Sequence, residues 1–248
     1  MKFNDSAANR RRFIKLASAA TAVVATGALH LPARAATPVK LRIGVIGSGN
    51  VGGALGRSWI KSGHEVMFSS RDIDHDKKLA SELGANARAG TPSEAATFGE
   101  AILIAVPYGA LPELGKSLGD ALKGKVVIDA CNPFPARDGD IANRAREKGA
   151  GLVSAELLPG ARIVRAFNAI GAGRMGAARE SPGKIGMPIA GDDAQAIALA
   201  SRLIRDVGYE PVLVGGLAMG QYLMPGTPLA GEHTPAKIRE IAATLKAP

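Results

Sequence analysis

Residues 41–56, "LRIGVIGSGNVGGALG", restrict the fold of this chain more than any other segment. An apolar run leads into Gly47, Gly49 and Gly52, which have the spacing G-x-G-x-x-G, and a helix-like segment follows. In that motif the first glycine permits a tight turn, the second lets a phosphate approach the backbone, and the third lets the helix pack closely on the sheet. A glycine turn of another kind is the alternative. The flanking strand and helix favour a dinucleotide-binding unit with the pyrophosphate at the helix N-terminus.

Short apolar runs without polar alternation recur along the chain, and longer helix-like segments separate them. This pattern is typical of strands covered on both faces, and it predicts an α/β Rossmann fold with a doubly wound, mostly parallel sheet. The predicted strands are 41–46, 65–68, 101–106, 125–129, 162–167, 187–190 and 211–214. The predicted helices are 51–61, 77–83, 110–122, 142–148 and 194–206.

The pattern weakens after Gly215, where only one more helix is predicted, at about residues 235–245. We see no internal repeat and no Pro/Ser-rich linker between independent domains. We therefore predict one dinucleotide-binding domain at 36–225 and a short C-terminal extension, a tail with one helix, at 226–248.

The first 35 residues have the pattern of a bacterial signal peptide. Three arginines at 10–12 precede a modest apolar run at 16–31, and "ARA" at 33–35 supplies the small residues that a signal peptidase requires. The arginine pair is typical of the twin-arginine route, which carries folded proteins and so permits a nucleotide to be bound before export. A membrane anchor is the alternative. A spanning helix needs about 20 strongly apolar residues, whereas the apolar run at 16–31 is shorter and rich in alanine. We expect twin-arginine export to the periplasm and no membrane span in the mature chain.

The charge of the chain is concentrated in that N-terminal segment. The whole chain has 31 Lys and Arg against 22 Asp and Glu, a net charge of +9, and residues 36–248 carry only +4. No basic run remains there to indicate a nucleic-acid partner. The single cysteine, Cys131, excludes an intrachain disulfide and a cysteine-cluster metal site. We interpret it as a small buried apolar residue rather than a reactive thiol.

The end of the second predicted strand indicates which dinucleotide is bound. NAD sites commonly carry an acidic residue about 20 residues after the glycines, where it accepts hydrogen bonds from the ribose 2′-hydroxyl. This chain has Ser69, Ser70 and Arg71 there. A hydroxyl and a guanidinium can bind a 2′-phosphate through charge-assisted hydrogen bonds, so we predict NADP(H). The alternative is that Arg71 pairs with Asp72 or caps the next helix.

Seven segments, taken in order, resemble one protein family. They are "GVIGSGNVG", "SSRD", "IAVPYGA", "VVIDACNPF", "LLPGARIVRAFNAI", "MPIAGDDAQA" and "GYEPVLVGGLAMGQYL". The order is similar to that of the NADPH-dependent reductases of the deazaflavin coenzyme F-420, and to the nucleotide-binding domain of the STEAP metalloreductases. The resemblance covers residues 41–224. It implies that NADPH lies across the carboxyl ends of the strands and that a hydride passes to or from a flavin or deazaflavin. The physiological acceptor and the direction of the reaction are left open. A homodimer is possible, and the oligomeric state is also left open.

The resemblance also implies roles for particular positions. The positions that match the phosphate loop are Ser48, Gly49, Asn50 and Val51, and those that match the 2′-phosphate grip are Ser70 and Arg71. The positions that match the ribose and pyrophosphate loop are Val106, Pro107 and Tyr108. The positions that match the nicotinamide side are Asn132, Ala166 and Asn168. The alternative to a cofactor role is structural: Pro107 would only end a strand, and Asn132 would be a turn residue.

Other polar residues indicate structural roles. Asp193, in "AGDD", is interpreted as a helix N-cap rather than a ligand, and His64 as a structural histidine. No Ser-His-acid or metal-ligand pattern is present in the sequence, and hydride transfer between two rings requires placement rather than an acid-base pair. We therefore predict no catalytic side chain and no metal. A non-catalytic NADPH-binding module, a sensor or carrier, is the alternative function.

Overall fold

The structure, a computed structural model, describes residues 39–246, and it is built on one sheet of eight strands. The strands are β1 (Arg42–Ile46), β2 (Glu65–Ser69), β3 (Ala87–Ala89), β4 (Ala101–Ile104), β5 (Val126–Asp129), β6 (Arg162–Arg165), β7 (Gly186–Gly191) and β8 (Glu210–Gly215). Their order is β3-β2-β1-β4-β5-β6-β7-β8. The first six are parallel, β7 pairs antiparallel with β6, and β8 is parallel to β7. The predicted Rossmann fold with a mostly parallel sheet is confirmed.

Helices cover both faces of the sheet. They are α1 (Asn50–Lys61), α2 (Ile73–Leu83), α3 (Pro92–Phe98), α4 (Leu111–Leu122), α5 (Pro135–Asp138), α6 (Asp140–Lys148), α7 (Ala150–Leu157), α8 (Ala194–Asp206) and α9 (Pro235–Thr244). Short 3-10 turns occur at Tyr108–Ala110, Ala172–Arg174, Ala177–Glu180 and Leu217–Leu223. Each predicted helix is present, whereas β3, α3, α5 and α7 were not predicted.

Two apolar layers hold the helices on the sheet. Trp59 of α1 and Leu203 of α8 are fully buried on one face, and Leu118 of α4 and Val153 of α7 are buried on the other. Because the strands are covered on both sides, consecutive strand residues point into opposite layers and both are apolar. The buried Trp59 indole donates to the carbonyl oxygen of Leu203 at 2.9 Å.

The C-terminal tail packs on the edge strand β8. Ile238 of α9 is buried against Leu223 and Leu229 in a small third cluster. The helix begins after Thr234, whose hydroxyl accepts from the backbone amide of Lys237 at 3.2 Å. The helix predicted at 235–245 is therefore confirmed.

His64 and Asp193 have the structural roles that the sequence predicted. His64 is buried; its Nδ1 accepts from the amide of Leu41 at 3.1 Å and its Nε2 lies 2.9 Å from Asp206. Asp193 caps α8 by accepting from the amide of Ala196 at 2.8 Å. Both residues tie helix ends to the sheet.

The predicted signal peptide and its cleavage site lie outside the described residues. Within residues 39–246, no helix is both long and apolar enough to cross a bilayer.

Candidate functional site

The glycine loop between β1 and α1 has the geometry of a phosphate-binding turn. Gly47 has a φ of 99°, and a Cβ there would lie 2.4 Å from the carbonyl oxygen of Ala105. A Cβ at Gly52 would lie 2.0 Å from the carbonyl oxygen of Gly47. At Gly49, the N-cap of α1, a Cβ would meet no atom of residues 39–246 within 4 Å, and no side chain of that range caps the helix. Open space therefore adjoins the unpaired amides of the first turn, as a bound pyrophosphate requires.

A buried carboxylate that sequence reasoning missed connects this loop to the end of β2. Asp76 of α2 is fully buried, and it accepts hydrogen bonds from the hydroxyls of Ser48 and Ser70. The Ser70 hydroxyl lies 2.9 Å from Asp76 and 3.1 Å from the carbonyl oxygen of Asp72. Both possible acceptors of its hydrogen belong to the protein, and its oxygen already accepts from the amide of Asp72 at 3.1 Å, so Ser70 offers a ligand its backbone rather than a hydroxyl donor.

Arg71 stands beside this buried group with its side chain exposed. It forms no ion pair with any residue of the described range 39–246. Asp72 instead caps α2 by accepting from the amide of His75 at 3.0 Å. The alternative that Arg71 is neutralised by Asp72 does not hold in this structure. The guanidinium is therefore available to a 2′-phosphate.

A cleft of about 270 Å³ opens at the carboxyl ends of β1, β4 and β5. It is lined by Asn50, Val51, Ala105, Val106, Pro107, Ala130, Asn132, Phe134, Arg137 and Ala172. The predicted positions among these are Asn50, Val51, Val106, Pro107 and Asn132. In open α/β sheets, ligands bind where the strand order reverses, which is between β1 and β4 in this sheet.

The side chains of the predicted positions Tyr108 and Ala166 are buried in the apolar core and do not line the cleft. Tyr108 is fully buried, and its hydroxyl donates to the carbonyl oxygen of Ala150 at 2.7 Å and lies 3.0 Å from Ser154. Burial raises the pKa of Tyr108 above its usual value, and the Ser154 hydrogen bond only partly opposes this. Ala166 is also fully buried, in the layer on the other face of the sheet. A cofactor contact at either position would have to come from backbone atoms.

Asn132, which lines the cleft, is hydrogen-bonded to Asn168, whose side chain is buried behind it and does not line the cleft. The Asn132 amide nitrogen donates to the carbonyl oxygen of Asn168 at 2.9 Å, and that of Asn168 donates to the carbonyl oxygen of Cys131 at 3.3 Å. These bonds fix which amide atom is oxygen, because a flip would oppose two oxygens. The two Oδ1 atoms are then buried and accept from no group within residues 39–246. Buried acceptors normally have a donor, so this pair fits a ligand that brings N–H groups.

The backbone at Phe167 directs Asn168 toward this position. Phe167 has a φ of 66°, which is uncommon for a residue other than glycine and is held only where surrounding packing imposes it. Its ring packs edge-on against Trp59 and Tyr209, with centroids 6.4 and 6.1 Å away. Core packing therefore fixes the turn that follows β6.

A buried ion pair lies beneath the two asparagines. Arg165 donates to Asp129 at 2.6 Å and to the carbonyl oxygen of Cys131 at 3.1 Å, and both charged side chains are fully buried. Asp129 also accepts from the amide of Cys131 at 2.8 Å. The pair thus fixes the backbone that leads into Asn132. The segment "IDACNP" does not predict this ion pair, because Arg165, the partner of Asp129, lies 36 residues further along the chain.

Cys131 is buried as predicted, with its thiol 3.4 Å from the carbonyl oxygen of Ile104. Burial raises the pKa of the thiol well above its usual value, and the Asp129 carboxylate acts in the same direction. Cys131 is therefore protonated and unreactive. In the described part of the chain, no group of three or more His, Cys, Asp or Glu side chains could hold a metal ion.

An ordered turn at the mouth of the cleft was not recognised in the sequence. Asp138 accepts from the amides of Phe134 at 2.9 Å and Gly109 at 3.2 Å, and from Arg137 at 2.8 and 2.9 Å. Burial acts to raise the pKa of Asp138, but the hydrogen bonds from Arg137 and the two amides outweigh it, so the pKa lies below its usual value. The turn presents Phe134, 41% exposed, and Arg137 to solvent.

These features together fit a dinucleotide. The open space over Gly49 suits a pyrophosphate, and the exposed Arg71 suits a 2′-phosphate. The unpaired amide oxygens of Asn132 and Asn168 suit a carboxamide at the other end.

Comparison with known proteins gives the same result. Residues 42–133 match the family model described as NADP oxidoreductase, coenzyme F420-dependent. The chain is 30% identical over 180 residues to metalloreductase STEAP3 of Rattus norvegicus, and the match covers 71% of this chain and 34% of that protein. It is 28% identical over 206 residues to the F420-dependent NADP reductase of Methanothermobacter thermautotrophicus, covering 76% of this chain and 87% of that one.

The fold is also found in solved structures. A hypothetical protein, SMa0349, from Sinorhizobium meliloti superposes with a TM-score of 0.65 at 24% identity, over 79% of this chain and 96% of that one. The resemblance predicted from the seven sequence segments, to F-420-dependent NADP reductases and to STEAP, is therefore confirmed.

Proposed function

We propose that this chain, an NADP-binding oxidoreductase related to the coenzyme F-420-dependent NADP reductases and to STEAP, transfers a hydride between NADP(H) and a flavin or deazaflavin. The observation that carries the proposal is the pair of buried amide oxygens on Asn132, which lines the cleft at the sheet's carboxyl edge, and on Asn168 behind it; neither accepts a hydrogen bond within residues 39–246. A nicotinamide carboxamide carries an N–H₂ group that can donate to such oxygens. The nicotinamide would then lie at this end of the cleft.

The other end of the site supports NADP(H) over NAD(H). Arg71 is exposed and has no ion-pair partner within residues 39–246. The one carboxylate that contacts Ser48 and Ser70, that of Asp76, is buried and engaged by their hydroxyls. The last residue of β2 is Ser69 rather than the usual acidic ribose ligand, and Arg71 two positions later offers a cation to a 2′-phosphate.

When bound, NADPH would supply one hydride, which is two electrons with a proton, and the acceptor ring would take up that hydride together with a second proton from solvent. The chain contributes placement. The Asp129–Arg165 pair and the turn at Phe167 hold the two asparagines, and burial of the amides fixes their orientation. Cys131 and Tyr108 are engaged in the core and take no part in proton transfer. Placement alone supplies large rate enhancements when two rings react face to face.

The proposal is tested by anaerobic mixing of the NADPH-loaded protein with riboflavin 5′-phosphate and, separately, with the deazaflavin coenzyme. Acceptor-dependent loss of the reduced nicotinamide absorbance is the expected result. Tight binding of NADPH with no oxidation by either acceptor would favour the other candidate, a non-catalytic nucleotide-binding module. An inactive Asn132→Leu variant with unchanged NADPH affinity would assign the defect to placement of the ring.

We also propose that the protein is exported by the twin-arginine route and acts in the periplasm. The proposal rests on the sequence of residues 10–12 and 33–35, which lie outside the described structure. Export in the folded state is compatible with a nucleotide that is bound before translocation. The acceptor would then be a compound that occurs in the periplasm.

A further inference from the structure

We propose that Phe134 and Arg137 form the subsite for the hydride acceptor, and that they select a planar ring whose side chain carries a phosphate. The inference rests on the proposed function, because it assigns the second substrate of the same cleft. It adds a preference for a phosphate on the acceptor and two residues that were not predicted from the sequence.

Phe134 is exposed and yet rigidly held. It is a large apolar residue with 41% of its surface open to solvent, and it lines the mouth of the cleft. It lies between Pro133 and Pro135, and its backbone is extended, with φ −110° and ψ 108°, as a residue before proline requires. Its amide donates to Asp138 at 2.9 Å. Single exposed apolar residues are common, but this ring is preorganised, so that a second ring can stack on it with little loss of conformational entropy.

Arg137 completes a stacked pair. Its guanidinium lies over the Phe134 ring, 5.0 Å from the centroid. Its Nε and Nη2 donate to Asp138, and Nη2 also donates to the carbonyl oxygen of Asn132 at 2.8 Å. Nη1 donates to none of the residues 39–246. The guanidinium is therefore fixed in direction by two partners and retains donors for a third.

The charge of the cleft indicates what that third partner is. Among the described residues that line the cleft, Arg137 is the one ionisable side chain, and none is acidic. Asp138 offsets part of the charge, but its side chain is only 1% exposed, so its oxygens face the protein. A cation with free donors beside an aromatic ring suits a ligand that combines a flat ring with an anionic tail. Riboflavin 5′-phosphate and the phosphate-bearing deazaflavin share that chemistry.

The test measures binding without turnover, using riboflavin 5′-phosphate and riboflavin as paired probes that differ only in the phosphate. Each is titrated into protein saturated with NADP⁺, and quenching of flavin fluorescence is followed. The wild type should bind the phosphate form about 10-fold more tightly or better, as expected for a charge-assisted contact. Equal affinity for the two probes, or no binding of either, would overturn the proposal without any variant.

Variants then assign the two residues. Arg137→Met should abolish the preference for the phosphate, and Arg137→Lys should retain part of it. Phe134→Leu, at an exposed position that the fold tolerates, should weaken both probes by about 5-fold or more through loss of stacking. Arg144→Met is the matched control, because Arg144 is an exposed arginine on α6 that pairs with Glu156 away from the cleft. It should leave both affinities unchanged.

Two further results would contradict the assignment. If the Phe134 or Arg137 variants lose NADP⁺ affinity as much as flavin affinity, the residues belong to the nucleotide site. If they change the oligomeric state instead of flavin affinity, the surface contacts a second copy of the chain. A wild type that binds the flavin but does not oxidise NADPH would contradict the proposed hydride transfer and leave the subsite standing. Active Phe134 and Arg137 variants with an unchanged KM for the acceptor would contradict the subsite and leave hydride transfer standing.

Discussion

The hydroxyl oxygen of Ser70 lies 2.9 Å from the carboxylate of Asp76, a residue of α2 that is fully buried where this helix packs beside the phosphate loop. This contact assigns Ser70 a different role from that of its neighbour Arg71, although the two are adjacent in sequence. The Ser70 hydroxyl is hydrogen-bonded to a buried carboxylate and so stabilises the fold of the site, whereas the Arg71 guanidinium is exposed and can contact a ligand. Their variants should therefore differ in what they change.

Ser70→Ala should reduce stability more than nucleotide selectivity. It leaves a buried carboxylate oxygen without its hydroxyl donor, which should lower the free energy of unfolding by about 1–3 kcal/mol. The ratio of NADPH to NADH affinity should change by no more than a few-fold. Urea denaturation and nucleotide titration measure the two effects. Ser117→Ala, on the exposed side of α4, is the control and should alter neither. A large loss of selectivity in Ser70→Ala would show that its hydroxyl binds the phosphate directly.

Arg71→Ala should have the opposite effect. Loss of one guanidinium contact to a phosphate should cost about 1.5–3 kcal/mol, or roughly 10- to 150-fold in NADPH affinity. NADH, which lacks the 2′-phosphate, should lose little. Arg57→Ala is a matched control, since Arg57 is an exposed arginine of α1 that pairs with Glu82 at 3.1 Å. Equal losses for NADPH and NADH would remove the 2′-phosphate assignment.

Most of the fold could be predicted because each strand and helix carries its own pattern of apolar residues within a short segment of sequence. The run at β1 and the glycines after it identify a βαβ unit without knowledge of any distant residue. The antiparallel direction of β7 could not be predicted, because its fully buried residues give the same apolar run as a parallel strand. The strand β3 has only three residues and an exposed Arg88 at its centre, so it carries no strand pattern.

The site was predicted less completely, because several of its contacts join distant residues. Asp76 stands in "DIDHDKK", which looks like an exposed polar helix, and it is buried only because α2 packs beside the phosphate loop. Phe134 and Arg137 are separated from the predicted Asn132 by a few residues, but only the hydrogen bonds of Asp138 turn them toward the cleft. Tyr108 was predicted because its position matches the family's ribose and pyrophosphate loop, and no local signal shows that its side chain turns into the core.

Arg165→Met should destabilise the whole domain. It leaves Asp129 as an unpaired buried charge, which typically costs about 3–5 kcal/mol. The control is Arg205→Met, which removes an exposed pair with Glu210 and should cost less than about 1 kcal/mol. Urea denaturation of both variants, with the nucleotide absent, gives the comparison. Similar losses in the two would mean that burial of the first pair has little energetic consequence.

Replacement of Arg10 and Arg11 by Lys should retain the precursor in the cytoplasm, because the twin-arginine route requires the arginine pair. Fractionation of cells that express the two forms measures this. The sequenced N-terminus of the exported wild type should be Ala36. An equal periplasmic yield from the double variant would contradict the proposed route.

The central claim is direct hydride transfer between NADPH and a ring acceptor in this cleft, and isotope transfer tests it most directly. NADPH carrying deuterium at one face of the nicotinamide C4 is oxidised by the protein with the deazaflavin coenzyme, whose reduced form holds hydrogen on carbon and so retains the label. We predict that one of the two stereospecifically labelled nucleotides delivers its deuterium to the reduced deazaflavin and the other does not, and that Asn132→Leu slows this transfer while NADPH affinity stays within a few-fold. Unlabelled product from both nucleotides, or no oxidation of NADPH by the wild type, would contradict the claim.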